Sequence, residues 1–161
     1  MNNEVLLEIE RETANTVRLV ECLHDDHLAF KPHEKSMSLG QLTTHIVELH
    51  NWLHQALVND VFDLNTMYKS VEFTQVQDLK GVLFEGLEKN KAVVNSFSAE
   101  QWNTLWTFKA GDHIIATLPK SAAFRFILQN HLIHHRGQLT VYMRLLDLPL
   151  PGIYGPSADD K

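Results

Sequence analysis

Cysteine is almost absent. A single Cys22 in 161 residues excludes a disulfide framework and any metal site built from several thiolates. Glycine and proline are scarce too, seven and five, and they concentrate towards the C-terminus, so long helices are permitted almost everywhere else. No stretch approaches the ~18 apolar residues that a membrane-spanning helix requires. The opening MNNEVLLEIERE lacks the basic start and apolar run of a secretory signal. Basic residues are outnumbered: 14 Lys plus Arg against 20 Asp plus Glu leave a net charge of −6. That balance argues against nucleic acid, which is held by basic surfaces. These absences predict a cytoplasmic protein with neither nucleic acid nor membrane as partner.

Apolar residues are plentiful at 44%, enough for one core in a chain of single-domain length. We therefore expect one domain over residues 1–161, with a non-helical tail from about residue 148. Leu6, Ile9, Thr13, Val17, Val20 and Leu23 recur at the three-and-four spacing of an amphipathic helix ending near His24. Ser38 with Gln41 is a capping box that opens a second helix, carrying Leu42, Ile46, Leu49, Leu53, Ala56 and Leu57. Residues 60–73 read as a connector. Thr74 with Gln77 has the form of another capping box, before Leu79, Leu83, Leu87, Val94 and Phe97. Ser98 with Gln101 marks a short turn, and Trp106–Phe108 and His113–Ile115 flank Ala110-Gly111-Asp112 as a possible small hairpin. The last helix is expected from Pro119 or Ser121 to Asp147, stopped by Pro149 and Pro151. Four striped helices with unequal connectors predict an all-α fold, a four-helix bundle with long crossover connections.

The chain is rich in histidine, with ten. On a helical wheel of the last helix, His131 and His135 fall within about 20° of the centre of the stripe formed by Phe124, Ile127, Leu128, Gln138, Leu139, Tyr142, Leu145 and Leu146. Four residues apart, they lie one above the other and can meet on one point. A lone core histidine is ordinarily satisfied by hydrogen bonds. Two on one buried stripe would each need a partner, at about 1–3 kcal/mol for each polar group left unsatisfied, and a shared divalent ion serves both. His134 lies at the stripe's edge. The second helix offers His45, His50 and His54 for a third ligand. His45 and His50 sit on opposite sides of its stripe, and Leu49, Trp52 and Ala56 extend the apolar face towards His45. His54 reads as a solvated residue, as do His24, His27, His33 and His113. Glu48, one turn after His45, suits either a supporting carboxylate or an exposed one, and Cys22 reads as a structural thiol. H-x-x-H-H in the last helix is not the H-E-x-x-H of a zincin protease.

With those residues in place, the sequence resembles the DinB/YfiT-like family of damage-inducible metal-binding bundles. The resemblance is strongest in NHLIHHRGQLTVYMRLLDLPLPGIYGPSADD, Asn130 to Asp160, and in FKPHEKSMSLGQLTTHIVELHNW, Phe30 to Trp52. It implies an up-down-down-up bundle and one divalent metal ion held by His45, His131 and His135, with Arg136, Gly137 and Gln138 also matching the motif. It implies a homodimer as well, and in some members transfer chemistry that uses a low-molecular-weight thiol.

Two functions follow. Three histidine ligands leave a coordination position open, as catalytic sites do; the expected enzyme acts on a small-molecule substrate, as a thiol transferase by resemblance or a hydrolase by chemistry. Alternatively, the ion staples two helices of a stress-linked metal-binding or interaction protein. Imidazole suits zinc, nickel, iron and copper, and zinc, nickel or iron lead the expectation.

Overall fold

A computed structural model describes residues 1–160. The chain is mostly helical, and the four expected helices are present: α1 (Asn2–Val20), α2 (Leu39–Ala56), α4 (Leu79–Ser96) and α7 (Asn130–Leu145). Helix α4 packs against both α1 and α2, and α2 packs against α7. Val5, Ile9, Leu19, Val20, Leu42, Ile46, Leu53, Leu79, Leu83, Leu132, Leu139 and Met143 belong to one buried core. Among the described residues no helix is long and apolar enough to cross a membrane.

The helix ends show where local chemistry prevailed. Ser38 caps α2 as expected: its hydroxyl accepts from the Gln41 N–H at 3.1 Å, and the Gln41 side chain accepts from the Ser38 N–H at 2.9 Å. The same box, Ser98 with Gln101, starts α5 (Ala99–Asn103). The third expected box does not form. Asp78 accepts from the N–H groups of Thr74 and Gln75, while the Gln77 amide donates to the carbonyls of Val20 and Leu23 beyond α1. Gln77 is drawn away from its own helix to the carbonyls that follow the end of α1, where the last helical C=O groups seek donors.

An all-α fold needs correction. Strands β1 (Val61–Asp63), β2 (Leu105–Ala110) and β3 (His113–Pro119) form a mixed sheet in the order β1-β2-β3. The expected hairpin is β2–β3, antiparallel, turning at Gly111 with φ 59°, a left-handed conformation that suits glycine. Strand β1 and the short helix α3 (Leu64–Met67) occupy the segment read as a connector. β1 runs parallel to β2, with Phe62 opposite Phe108. Aromatic burial holds this sheet to the helices: Phe62, Phe108 and Trp106 stack beside Trp52 of α2, and the Trp106 indole donates to the Ala56 carbonyl. Asp63 ties the pieces together by accepting from the N–H groups of Asn65 and Gly111, both at 3.0 Å.

The last helix is also not a regular one. Helix α6 (Lys120–Ala123) passes into a π-helical segment, Phe124–Gln129, before α7 begins. The wider π turn shifts the phase of everything after it. The buried stripe of α7 is therefore Leu132, Arg136, Leu139, Tyr142 and Met143, while Gln138 and Leu145 face outwards. His131 and His135 each precede a buried residue by one position, so they lie half-buried at the stripe's edge, not at its centre.

Helix α7 ends on Asp147 at φ 55°, with the Leu148 N–H returning to the Met143 carbonyl at 3.0 Å, the Schellman closure. The tail is non-helical as expected, and it is docked. Arg18 donates to the Gly152 carbonyl at 2.7 Å, and Tyr154 donates to Glu12 at 2.7 Å.

Candidate metal centre

His45 on α2 faces His131 and His135 on α7, and one ring nitrogen from each lies within 4.8 Å of the others. The His131 Nε2 is 2.8 Å from the His135 Nε2 and 3.5 Å from the His45 Nε2. The capping box sets the start of α2, and the π segment sets the rotation of α7; together they bring the three rings to one point. His50, the competing candidate, points the other way. It is buried on the α1 side, 2.8 Å from Thr16 Oγ1 and 3.4 Å from Thr13 Oγ1. Burial, with Arg136 close by, pushes its pKa down to about 3. His54 is half-buried, not solvated, with its ring 2.8 Å from the Asn90 side-chain oxygen. His134, His24, His33 and His113 are exposed, and His27 is half-buried.

The outer nitrogens settle what the inner ones can do. His135 Nδ1 lies 2.8 Å from Gln138 Oε1, and His45 Nδ1 lies 3.7 Å from Glu48 Oε2. The outer nitrogens of His135 and His45 thus face acceptors, an arrangement that favours a proton there and an Nε2 lone pair directed inwards. Imidazole nitrogens this close share a proton or hold a cation between them. The donor set therefore fits a divalent metal ion. Burial, followed by the neighbouring imidazoles, lowers the pKa of His131 to about 4, and burial also lowers that of His135; neutral rings are the form that ligates.

Glu48 proves to be 3% exposed. Its carboxylate accepts from the Tyr68 hydroxyl at 2.5 Å and from the Val71 N–H at 2.9 Å. Burial alone would raise its pKa, but bonds from His45, Tyr68, Val71 and Ser70 outweigh burial and hold it below the ordinary carboxylate range. The same contact, added to burial, pushes Tyr68 up to about 12. Tyr68 was not legible as a site residue, because it arrives from the α3 end that the sequence presents as a connector.

Two cavities open beside the histidines and share His45 and Tyr68. One, of about 420 Å³, is lined by polar groups including Gln41, Thr44, Glu48 and Ser70. The other, of about 390 Å³, is lined by Trp52, Leu64, Phe108 and His131.

A family model described as the DinB family matches residues 1–161. The chain belongs to the DinB family. The uncharacterized protein YrdA of Bacillus subtilis (strain 168) is 25% identical over 151 residues, 94% of this chain and 86% of its own. Among solved structures, this DinB-family chain is similar to a DinB-like protein, YjoA, from Bacillus subtilis, with a TM-score of 0.73, 21% identity, and 96% and 99% of the two chains covered. A DinB-like protein from Bacillus cereus ATCC 10987 gives a TM-score of 0.70 at 23% identity, covering 92% and 95%. At that identity the likeness to the solved structures concerns the fold.

Proposed function

We propose that this DinB-family protein holds one divalent metal ion on His45, His131 and His135 and joins a low-molecular-weight thiol to a small electrophilic substrate. The observation that carries the metal is the convergence of three Nε2 atoms, with acceptors on the outer side of the His135 and His45 rings. Zinc, nickel and iron all suit three imidazoles. When bound, such an ion would act as a Lewis acid and lower the pKa of a thiol or water.

Catalysis is favoured over a structural staple because the cluster contains three donors among the described residues, where closed structural sites have four. The cavities on either side give room for two reactants. Glu48 orients His45 and anchors Tyr68; its lowered pKa makes it a poor base, so the thiol proton passes to water. The sulfur lone pair then forms the new bond to the electrophilic carbon, the bond from that carbon to the leaving group breaks, and the leaving group departs with its electron pair. Cys22 sits at the end of α1, where its thiol bonds the Arg18 carbonyl, so the nucleophile comes from outside the chain.

The reading includes one domain, the up-down-down-up bundle, a cytoplasmic location and a homodimer. Exposed Leu7, Phe126, Val141 and Leu145 support a second copy, and the molar mass in solution by light scattering tests it. For the site itself, metal analysis of protein from its own host should return close to one ion per chain, and His131→Ala should lose it. Turnover should need metal and added thiol together and survive Cys22→Ala. Full metal occupancy in His131→Ala sinks the metal site; cleavage of esters or amides without thiol makes the protein a hydrolase instead.

A further inference from the structure

The two cavities at the histidines differ in chemistry. The polar one contains a carboxylate, an amide and two hydroxyls. The other is lined by His45, Trp52, Leu64, Tyr68, Phe108 and His131, with no Lys, Arg, Asp or Glu among them. Its single hydroxyl, on Tyr68, already donates to Glu48. Away from the histidine edge the lining offers a charged group no counter-ion, so packing one against these rings is costly.

The aromatic wall is built before any ligand arrives. Trp52 is 4% exposed and Phe108 9%, with ring centroids 5.7 Å apart. Phe62 packs 5.3 Å from Trp52, and Trp106 lies 5.6 Å from Phe108 in a stacked arrangement. Helix α2 and two strands lock these rings, so little ordering cost remains when a ligand binds. A dry apolar cavity of roughly 150 Å³ is enough for benzene. At about 390 Å³ this chamber has room for a substituted ring, within the roughly 300–1,000 Å³ typical of small-molecule sites.

We propose that the Trp52–Leu64–Phe108 chamber is a subsite for an uncharged, flat apolar part of the substrate, an aromatic ring, with Leu64 forming part of its wall. The proposal rests on the reading of the His45–His131–His135 edge as the reacting centre: the ring is held in the chamber so that its reactive substituent meets that edge. Substrates are therefore neutral aryl-bearing electrophiles, and the more polar reactant takes the neighbouring cavity.

Binding can be read without turnover and without metal. Full-length metal-free protein is titrated with benzyl alcohol while the tryptophan indole N–H signals are followed by NMR, with Trp52→Phe assigning the Trp52 signal. Benzyl alcohol should shift the Trp52 signal saturably, and glycerol should not. Benzoate, similar in size but charged, should bind at least about tenfold more weakly. Leu64→Trp, which fills the chamber from a half-buried position, should weaken benzyl alcohol by at least about tenfold; Leu64→Phe serves if the larger residue does not fold. Absence of saturation, benzoate binding as well as benzyl alcohol, or affinity unchanged in a folded Leu64 variant overturns the proposal. Loss of the metal reading alone would appear as saturable benzyl alcohol binding in a protein that takes up no ion.

Discussion

Arg136 offers the sharpest test of how this molecule is held together. It lies in the buried stripe of α7 at 2% exposure, directly after His135. Its guanidinium donates to the Glu12 carboxylate, to the Glu12 carbonyl at 3.1 Å, to Thr16 Oγ1 at 3.2 Å, and to the Tyr154 hydroxyl. Tyr154 in turn donates to Glu12 at 2.7 Å. One ion pair thus joins α1, α7 and the tail. Replacing Arg136 by Met keeps most of the packing volume and strands the Glu12 carboxylate with one donor. Breaking a buried pair from one side costs about 3–5 kcal/mol. At about 2–4 °C per kcal/mol for a chain of this size, Tm should fall on the order of 6–20 °C. The double variant Glu12→Leu with Arg136→Met removes both charges, and replacement of a buried pair by apolar groups is often near neutral, so it should recover most of the loss. Thermal unfolding by circular dichroism, in metal-free buffer, reads all three proteins. If Arg136→Met is as stable as the double variant, the stranded charge is not what destabilises it, and the reasoning fails.

Acid should weaken the fold through His50. With an ordinary value of 6.5 unfolded and about 3 folded, it is neutral in both states above about pH 6.5 and contributes no slope there. Below that, the unfolded chain takes a proton the folded one refuses, and stability falls by about 1.4 kcal/mol per pH unit until about pH 3. Arg136 faces this ring and the Thr13 and Thr16 hydroxyls bracket it, so His50→Gln should flatten that slope in denaturant titrations between pH 7 and 5; an identical slope argues against His50. Gly86→Ala should destabilise by about 1–3 kcal/mol, because the new methyl would stand 1.9 Å from the Asn51 side-chain oxygen; wild-type stability in urea would show that Asn51 simply moves aside. Gln138→Ala should weaken metal affinity about 10–100-fold by freeing the outer nitrogen of His135, read by competition with a chelator, and unchanged affinity would leave Gln138 without that role.

Local chemistry sufficed for much of this. The boxes at Ser38 and Ser98 form because their partners lie three residues away, where chain connectivity brings them together whatever the rest does. The hairpin at Gly111 is equally local, and the apolar spacing of α1, α2 and α4 carries over into burial. Pairing His131 with His135 needed only the rise of a helix. Choosing His45 over His50 was different: both sit beside the same stripe, and only the packing of α2 between α1 and α7 decides which faces α7 and which is enclosed by Thr13 and Thr16. The π segment escaped notice because a uniform wheel assumes one angle per residue, so Arg136 was not seen as the buried member of its helix. Strand β1 is three residues long, too short to show alternation, and its partner follows more than forty residues later. Tyr68 and the buried state of Glu48 depend on that strand and on α3. Periodicity and capping record what a segment does against its own neighbours in sequence; which of its faces is enclosed, and by what, is decided when distant segments compete for the same buried surface.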